Sequence, residues 1–272
     1  MKRLRWSLVF YSLLGIGALV GLTMLMALVS EKSNAQVCRS LKVIIEGKET
    51  FIDQQDIAKL IHDNHGVVVG QELNSIEIEK IENTLKKLPY VAHASVHTDM
   101  DGLLQVVVKQ REVLLRVINK QGKEYYVDTQ NKKIPTTLKY VPHVLVANGN
   151  ITEFYSAPLE AVKSGVVMDL VQIVKHVKEN DLWANQIVQL YVNEQRDIEL
   201  IPRIGKEVLV IGNADSLQYK LDRLEVYYKN ILPKVGSEAY EKVNVKYGGQ
   251  IICERRGDWF IDSLQMKINS RN

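Results

Sequence analysis

The stretch Asn74–Val108, NSIEIEKIENTLKKLPYVAHASVHTDMDGLLQVVV, changes its hydrophobic period midway. Asn74-Ser75-Ile76-Glu77 has the spacing of a capping box, and Ile78, Ile81, Leu85 and Leu88 then fall on one helical face until Pro89 stops it. Beyond the proline the period drops to two: Ala92, Ala94 and Val96 alternate with His93, Ser95 and His97. Asp101-Gly102 marks a turn, and Leu104, Val106 and Val108 resume the alternation. A helix followed by a hairpin is the reading.

On the N-terminal side, Leu41–Glu46 is a β-branched apolar run ended by Gly47, and Asp53 caps a helix to about Asp63 with Ile57, Leu60 and Ile61 on one stripe. The order strand, helix, helix, strand, strand predicts a small α+β layer module over 41–111. Before it, Trp6–Val29 runs 24 residues without Asp, Glu, Lys, Arg, His, Asn or Gln. At about 1.5 Å per residue that length crosses a hydrocarbon core of about 30 Å. Lys2, Arg3 and Arg5 precede it, so residues 1–5 read as a cytoplasmic tail, 6–29 as a membrane anchor and 30–40 as an external stem. A cleaved secretory signal is the rival, but its apolar core spans only about 7–15 residues. Gly17 and Gly21 form a Gly-x-x-x-Gly spacing that lets membrane helices approach, against a plain reading of packing tolerance.

The net charge of +3 comes from the short basic tail; residues beyond the anchor hold 32 basic and 32 acidic groups. A balanced exterior has no net pull on phosphate backbones, which argues against nucleic acid as a partner. Cys38 and Cys253 are the two cysteines, free to pair outside the cytoplasm or to stay as thiols.

On the C-terminal side, Val113–Ile118 and Lys123–Asp128 flank Asn119-Lys120-Gln121-Gly122 as a hairpin. Gly165–Glu179 is an amphipathic helix; Val188–Val192, Ile198–Ile201 and Val208–Ile211 read as strands. Asp215 with Gln218 starts a helix carrying Leu217, Leu221, Leu224 and Tyr228, ended by Pro233. A closing strand begins at Val243-Asn244-Val245-Lys246-Tyr247 and resumes after Gly248-Gly249 as Gln250-Ile251-Ile252-Cys253. The pattern predicts a mainly antiparallel β-domain over 112–256 with two packed helices, and a tail over 257–272.

Catalytic constellations do not emerge. No Gly-x-Ser-x-Gly elbow or His-Glu-x-x-His helix occurs, and Gly-Lys pairs at Gly47, Gly122 and Gly205 lack the rest of a phosphate loop. His62 and His65 lack a third metal ligand; His93 and His97 stand about 13 Å apart on a strand, too far for one ion. No enzyme, cofactor, metal or small-molecule substrate is therefore expected. A terminal strand with an unpaired edge is a better-motivated site, because it accepts a strand from another protein through main-chain bonds.

Leu88-Pro89-Tyr90-Val91, Ala94-Ser95-Val96, the hairpin and Arg111-Glu112 resemble the POTRA module of the bacterial division family FtsQ, also called DivIB. Tyr126-Val127-Asp128 with Pro135 and Pro142 is similar to the start of that family's β-domain, and Val243–Tyr247 to its closing strand, with Asn244 and Lys246 where Asp and Arg are usual. The resemblance spans about residues 1–256. It implies a single-pass protein of the bacterial cytoplasmic (inner) membrane at the division septum, N-terminus inside and ectodomain outside. It further implies FtsB/FtsL-like partners held at Val245, Lys246, Tyr247, Gly248, Gly249, Gln250, Ile251 and Ile252, and other division proteins on the POTRA-like module. A POTRA-bearing transport or outer-membrane assembly component, a membrane-anchored hydrolase and a membrane-anchored ligand sensor are the competing classes.

Overall fold

The computed structural model describes residues 14–26, 36–48, 51–99, 101–137 and 139–257. Of the apolar stretch 6–29, residues 14–26 form a helix (α1) with its side chains exposed, and the remainder lies outside the described residues. Among the described residues no helix is long and apolar enough to cross a membrane. Gly17 and Gly21 lie on α1 with open space where a Cβ would stand. The expected tail 1–5 lies outside the described residues, as does nearly all of 257–272. The chain divides into two compact units, 1–110 and 111–272.

The first unit contains β1 (Ser40–Glu46), α2 (Gln54–His65), α3 (Ile78–Lys86), β2 (Val91–Thr98) and β3 (Leu103–Gln110). The sheet order is β1-β3-β2, with β1 parallel and β2 antiparallel to β3. The alternation read from sequence places Ala94, Val96, Leu104, Val106 and Val108 inward, against Ile57, Ile61, Ile81 and Leu85 of the helices, but not Ala92: a register shift between Val91 and His93 buries Val91 and leaves Ala92 exposed. Each such fully buried aliphatic side chain contributes about 1.5–3 kcal/mol. Asp53 caps α2 reciprocally with Asp56. Asn74 does not cap α3. Leu73–Ser75 forms one 3-10 turn, Ile76 is buried in an extended conformation, and α3 starts after Glu77 with no side-chain cap. Burial of Leu73 and Ile76 overrides the local capping signal.

Residues 36–39, which precede β1, are bound into this unit. Cys38 N donates to Gln71 O, Gly70 N to Cys38 O, Leu73 N to Gln36 O and Arg39 N to Gly102 O. Gly102 has φ +82, and a Cβ there would stand 2.6 Å from Val37 O, so the turn requires glycine.

The second unit is a nine-stranded sheet in the order β12-β11-β10-β9-β8-β7-β4-β5-β6. Its strands are β4 (Val113–Ile118), β5 (Glu124–Asp128), β6 (Lys133–Pro135), β7 (Leu145–Gly149), β8 (Ile187–Val192), β9 (Ile198–Pro202), β10 (Val208–Gly212), β11 (Tyr240–Asn244) and β12 (Ile252–Arg255). Five neighbouring pairs are antiparallel, but β4–β7, β7–β8 and β10–β11 are parallel, so the sheet is mixed. Parallel neighbours need long crossovers, and the two helices read from sequence serve as two of them. α4 (Gly165–Glu179) joins β7 to β8, and α6 (Leu217–Val226) joins β10 to β11. Val167, Leu170, Val174 and Leu221 and Leu224 of these helices share one core with Leu115, Leu190, Leu200, Leu209 and Val243.

Two further short helices were not legible. α5 (Asp181–Gln186) is capped by Asn180 and buries Trp183. The helix expected to stop at Pro233 instead widens into a π-turn at Tyr227–Ile231 and continues as α7 (Leu232–Val235). A proline lacks an N–H and clashes with the carbonyl four residues back; in the first turn of a new segment, where donors are unpaired anyway, that costs little. Asp215 does not cap α6. Ser216 occupies the N-cap with φ 51, while Asp215 accepts from Asn213 Nδ2 and Gln218 donates to Asp222.

Candidate functional site

The closing strand ends three residues earlier than its sequence suggests. β11 stops at Asn244, because Asn244 Oδ1 turns back to accept from Lys246 N at 3.0 Å. Val245 is 1% exposed and its N–H donates to Val210 O at 2.9 Å, leaving it no surface for a partner. Val245–Ile251 form the connection to β12, and among the described residues the last strand at this end of the sheet is Ile252–Arg255. The expected edge is therefore displaced along the chain: Val243–Tyr247 is not the terminal strand, and Gly248–Ile251 are not in a strand.

Among the described residues β12 pairs with β11 alone, through Tyr240↔Arg255, Lys242↔Glu254, Val243↔Cys253 and Asn244↔Ile252. Its faces differ. Cys253 and the preceding Ile251 pack half-buried on the core, whereas Ile252 is 38% exposed and Glu254 lies in solvent. A strand added alongside meets an apolar side and a mixed one, the condition for binding that is tight through the main chain and selective through side chains.

The connection beside this edge is held by α6. Arg223 Nη1 donates to Tyr247 O at 3.3 Å, Gly249 N donates to the Tyr219 hydroxyl at 3.2 Å, and the Arg223 guanidinium sits 5.1 Å over the Tyr219 ring. Tyr247 is 48% exposed, with the Lys246 ammonium 5.0 Å from its ring centre. Lys246 is already engaged: its Nζ lies 2.6 Å from Asp197 Oδ2, and the side chains are 25% and 23% exposed. The Asp197 carboxylate holds the Lys246 ammonium above the ordinary lysine value. Asp215, Ser216, Tyr219, Lys220, Lys246 and Tyr247 line a cleft of about 340 Å³. Lys220 is buried there against Asn213 O and Oδ1, and burial pulls its pKa down.

Asp197, Tyr219 and Arg223 escaped the sequence reading. Tyr219 and Arg223 are four apart on the exposed side of α6, so an aromatic on a polar helix face was the available signal. Asp197 comes from the β8–β9 turn, 49 residues before its lysine, and had none. Gln250 is exposed in the connection.

Cys38 and Cys253 are free thiols, one buried in the first unit with Sγ 3.6 Å from Ser40 O, the other half-buried on β12. Burial pushes the Cys253 thiol up. Among the described residues no group of three or more His, Cys, Asp or Glu is placed to hold a metal ion. His65 Nε2 lies 3.0 Å from Thr84 Oγ1, and exposed His62 lies beside Asp63.

Comparison with known families meets this architecture at both units. Residues 36–109 match a POTRA-like domain. Residues 113–254 match the domain described as FtsQ/DivIB, C-terminal related. No curated protein matches the chain. The second match alone spans more than half of the sequence and includes the sheet from β4 to β12, and on it the chain belongs to the FtsQ/DivIB family of cell-division proteins.

Proposed function

We propose that this chain is a non-enzymatic scaffold of the bacterial division machinery, and that it receives an FtsB/FtsL-like partner as an added strand on β12. One observation carries the reading: among the described residues a nine-stranded sheet ends in a strand paired on one side, beside a connection that displays Tyr247 and Lys246. Backbone groups on such a margin supply affinity, and the flanking aromatic and basic side chains select the partner. The basic tail and the apolar stretch 6–29 fit an anchor in the cytoplasmic membrane, with both units outside and concentrated at the septum. In that setting the first unit is available to other division proteins, and the whole couples the division ring to septal wall synthesis.

The test measures binding of the full chain in detergent to the FtsB/FtsL-like pair of the same cells. Val245 and Val243 turn their backbone groups to β10, so Asn244 and Lys242 face Ile252 and Glu254, and the N–H of Cys253 points away from the sheet; Cys253→Pro removes that outward donor and keeps the ladder to β11. Tyr247→Ala removes an exposed ring. Each is expected to weaken binding at least about tenfold while thermal unfolding stays close to wild type, since about 1.4 kcal/mol of contact corresponds to that factor. Unchanged binding in both variants rejects the site. Recovery of outer-membrane proteins without the pair, from solubilised dividing cells, rejects the division reading in favour of an assembly component.

A further inference from the structure

The two ends of the nine-stranded sheet are treated oppositely. Among the described residues β12 carries no further strand, whereas the outer side of β6 is covered by residues 159–162. Lys133 N donates to Glu160 O at 2.8 Å, Leu159 N to Lys133 O at 2.9 Å and Val162 N to Asn131 O at 2.9 Å, with an antiparallel bridge between Lys132 and Ala161. The covering strap, Glu153 to Ser164, is closed on itself: the Glu153 carboxylate accepts from Lys163 N at 2.7 Å and Ser164 N at 3.0 Å.

One buried side chain fastens it. Lys133 is 2% exposed, and its Nζ lies 2.7 Å from Phe154 O, 2.9 Å from Glu153 Oε1 and 3.3 Å from Glu160 Oε2, over the buried Tyr125 ring. All three acceptors belong to the strap. Removing one member of a buried ion cluster leaves the others charged and unpaired, which is strongly destabilising locally. The next outward-facing backbone position on β6 is Pro135, which has no N–H to offer. Strap and proline together leave β6 nothing to pair with.

A sheet with both margins open can join its two different margins between copies. The β6 margin of one copy would meet the β12 margin of the next, a head-to-tail contact that propagates. We propose that the strap latched by Lys133 is an assembly block, and that the surface beneath it fits the β12 edge of a second copy of this chain. The block operates whichever protein docks on β12 in the cell.

The test uses the full chain in detergent micelles, with mass from light scattering and hydrogen exchange of residues 125–164. Lys133→Met combined with Pro135→Val unlatches the strap and restores a donor. The strap amides are expected to exchange at least tenfold faster, and the mass to rise with protein concentration. Adding Cys253→Pro, which removes the outward-facing donor of β12, should return the mass to the wild-type value. Where the Lys133 variant fails to fold, Leu159→Pro replaces it: Leu159 has φ 63, which proline cannot adopt, and it loses the bond to Lys133 O without touching the core. An open strap with wild-type mass at all concentrations overturns the block. So does a strap that stays protected, and association that survives Cys253→Pro overturns the β6-to-β12 pairing.

Discussion

Asp197→Asn separates the two roles that Lys246 can hold. In the resting chain Asp197 occupies the ammonium at 2.6 Å, with about three-quarters of each side chain covered. Exposed ion pairs contribute about 0.2–1 kcal/mol, and breaking fully buried ones costs about 3–5 kcal/mol. A partly covered pair without a bidentate donor belongs near the top of the exposed range, about 1 kcal/mol. Any partner carboxylate that uses Lys246 must compete with Asp197, and its apparent affinity is reduced by the fraction of lysine left free. Neutralising Asp197 removes that competition, so partner binding is expected to tighten about fivefold, the equivalent of about 1 kcal/mol. The same change should lower the melting temperature of the second unit by about 2–4 °C. Asparagine keeps the backbone bonds of the β8–β9 turn, in which Asp197 N donates to Asn193 Oδ1. Binding measured by titration calorimetry at two salt concentrations and melting followed by calorimetry give both numbers on one sample. Asp197→Asn in a Lys246→Met background should show no gain. A lowered melting point with unchanged affinity refutes Lys246 as a partner contact; an affinity gain that persists without Lys246 refutes the competition.

Two further outcomes test the fold around the sites. Gly149→Ala should destabilise the second unit by about 2–4 kcal/mol in denaturant unfolding, because Gly149 has φ +101 and its Cβ would stand 2.2 Å from Val192 O; a loss below about 0.5 kcal/mol contradicts the packing of β7 on β8. The strap should open in acid. Lys163 and then Lys133 hold the Glu160 carboxyl down at about 2, from an ordinary 4.5. Its contribution to stability is complete above pH 4.5 and disappears as pH falls toward 2, so exchange of the strap amides, corrected for intrinsic rate, should accelerate across that window. Flat protection across it excludes Glu160 as part of the latch.

What was legible in the sequence was whatever is decided within one turn or one pleat. The spacing of Val166, Val167, Leu170, Ile173, Val174 and Val177 marks α4, and Asp53 marks the start of α2 by a cap that forms locally. Non-local pairings were not legible. β7 is five residues long and lies between β4 and β8 only because the chain crosses over twice, so the parallel part of the sheet had no local signature. Lys133-Ile134-Pro135 reads as a break in regular structure because of its proline, yet it forms β6, and the burial of Lys133 has no local sign because its acceptors come 20 or more residues later. The candidate site was found in its neighbourhood but not in its register. Lys246 and Tyr247 keep a strand-like pattern, yet Asn244 ends the strand by bonding ahead to Lys246.

The attachment of residues 36–39 to the first unit bears on how the chain carries load. A pull on the N-terminal side reaches bonds to Gln71, Leu73 and Gly102 before it reaches β1, and β1 then runs parallel to β3 over seven paired residues. Strands so arranged slide against all their bonds together instead of peeling one at a time. The clasp at 36–39 is therefore the first part to yield under tension, and it works as a mechanical fuse that gives way while the sheet behind it stays whole.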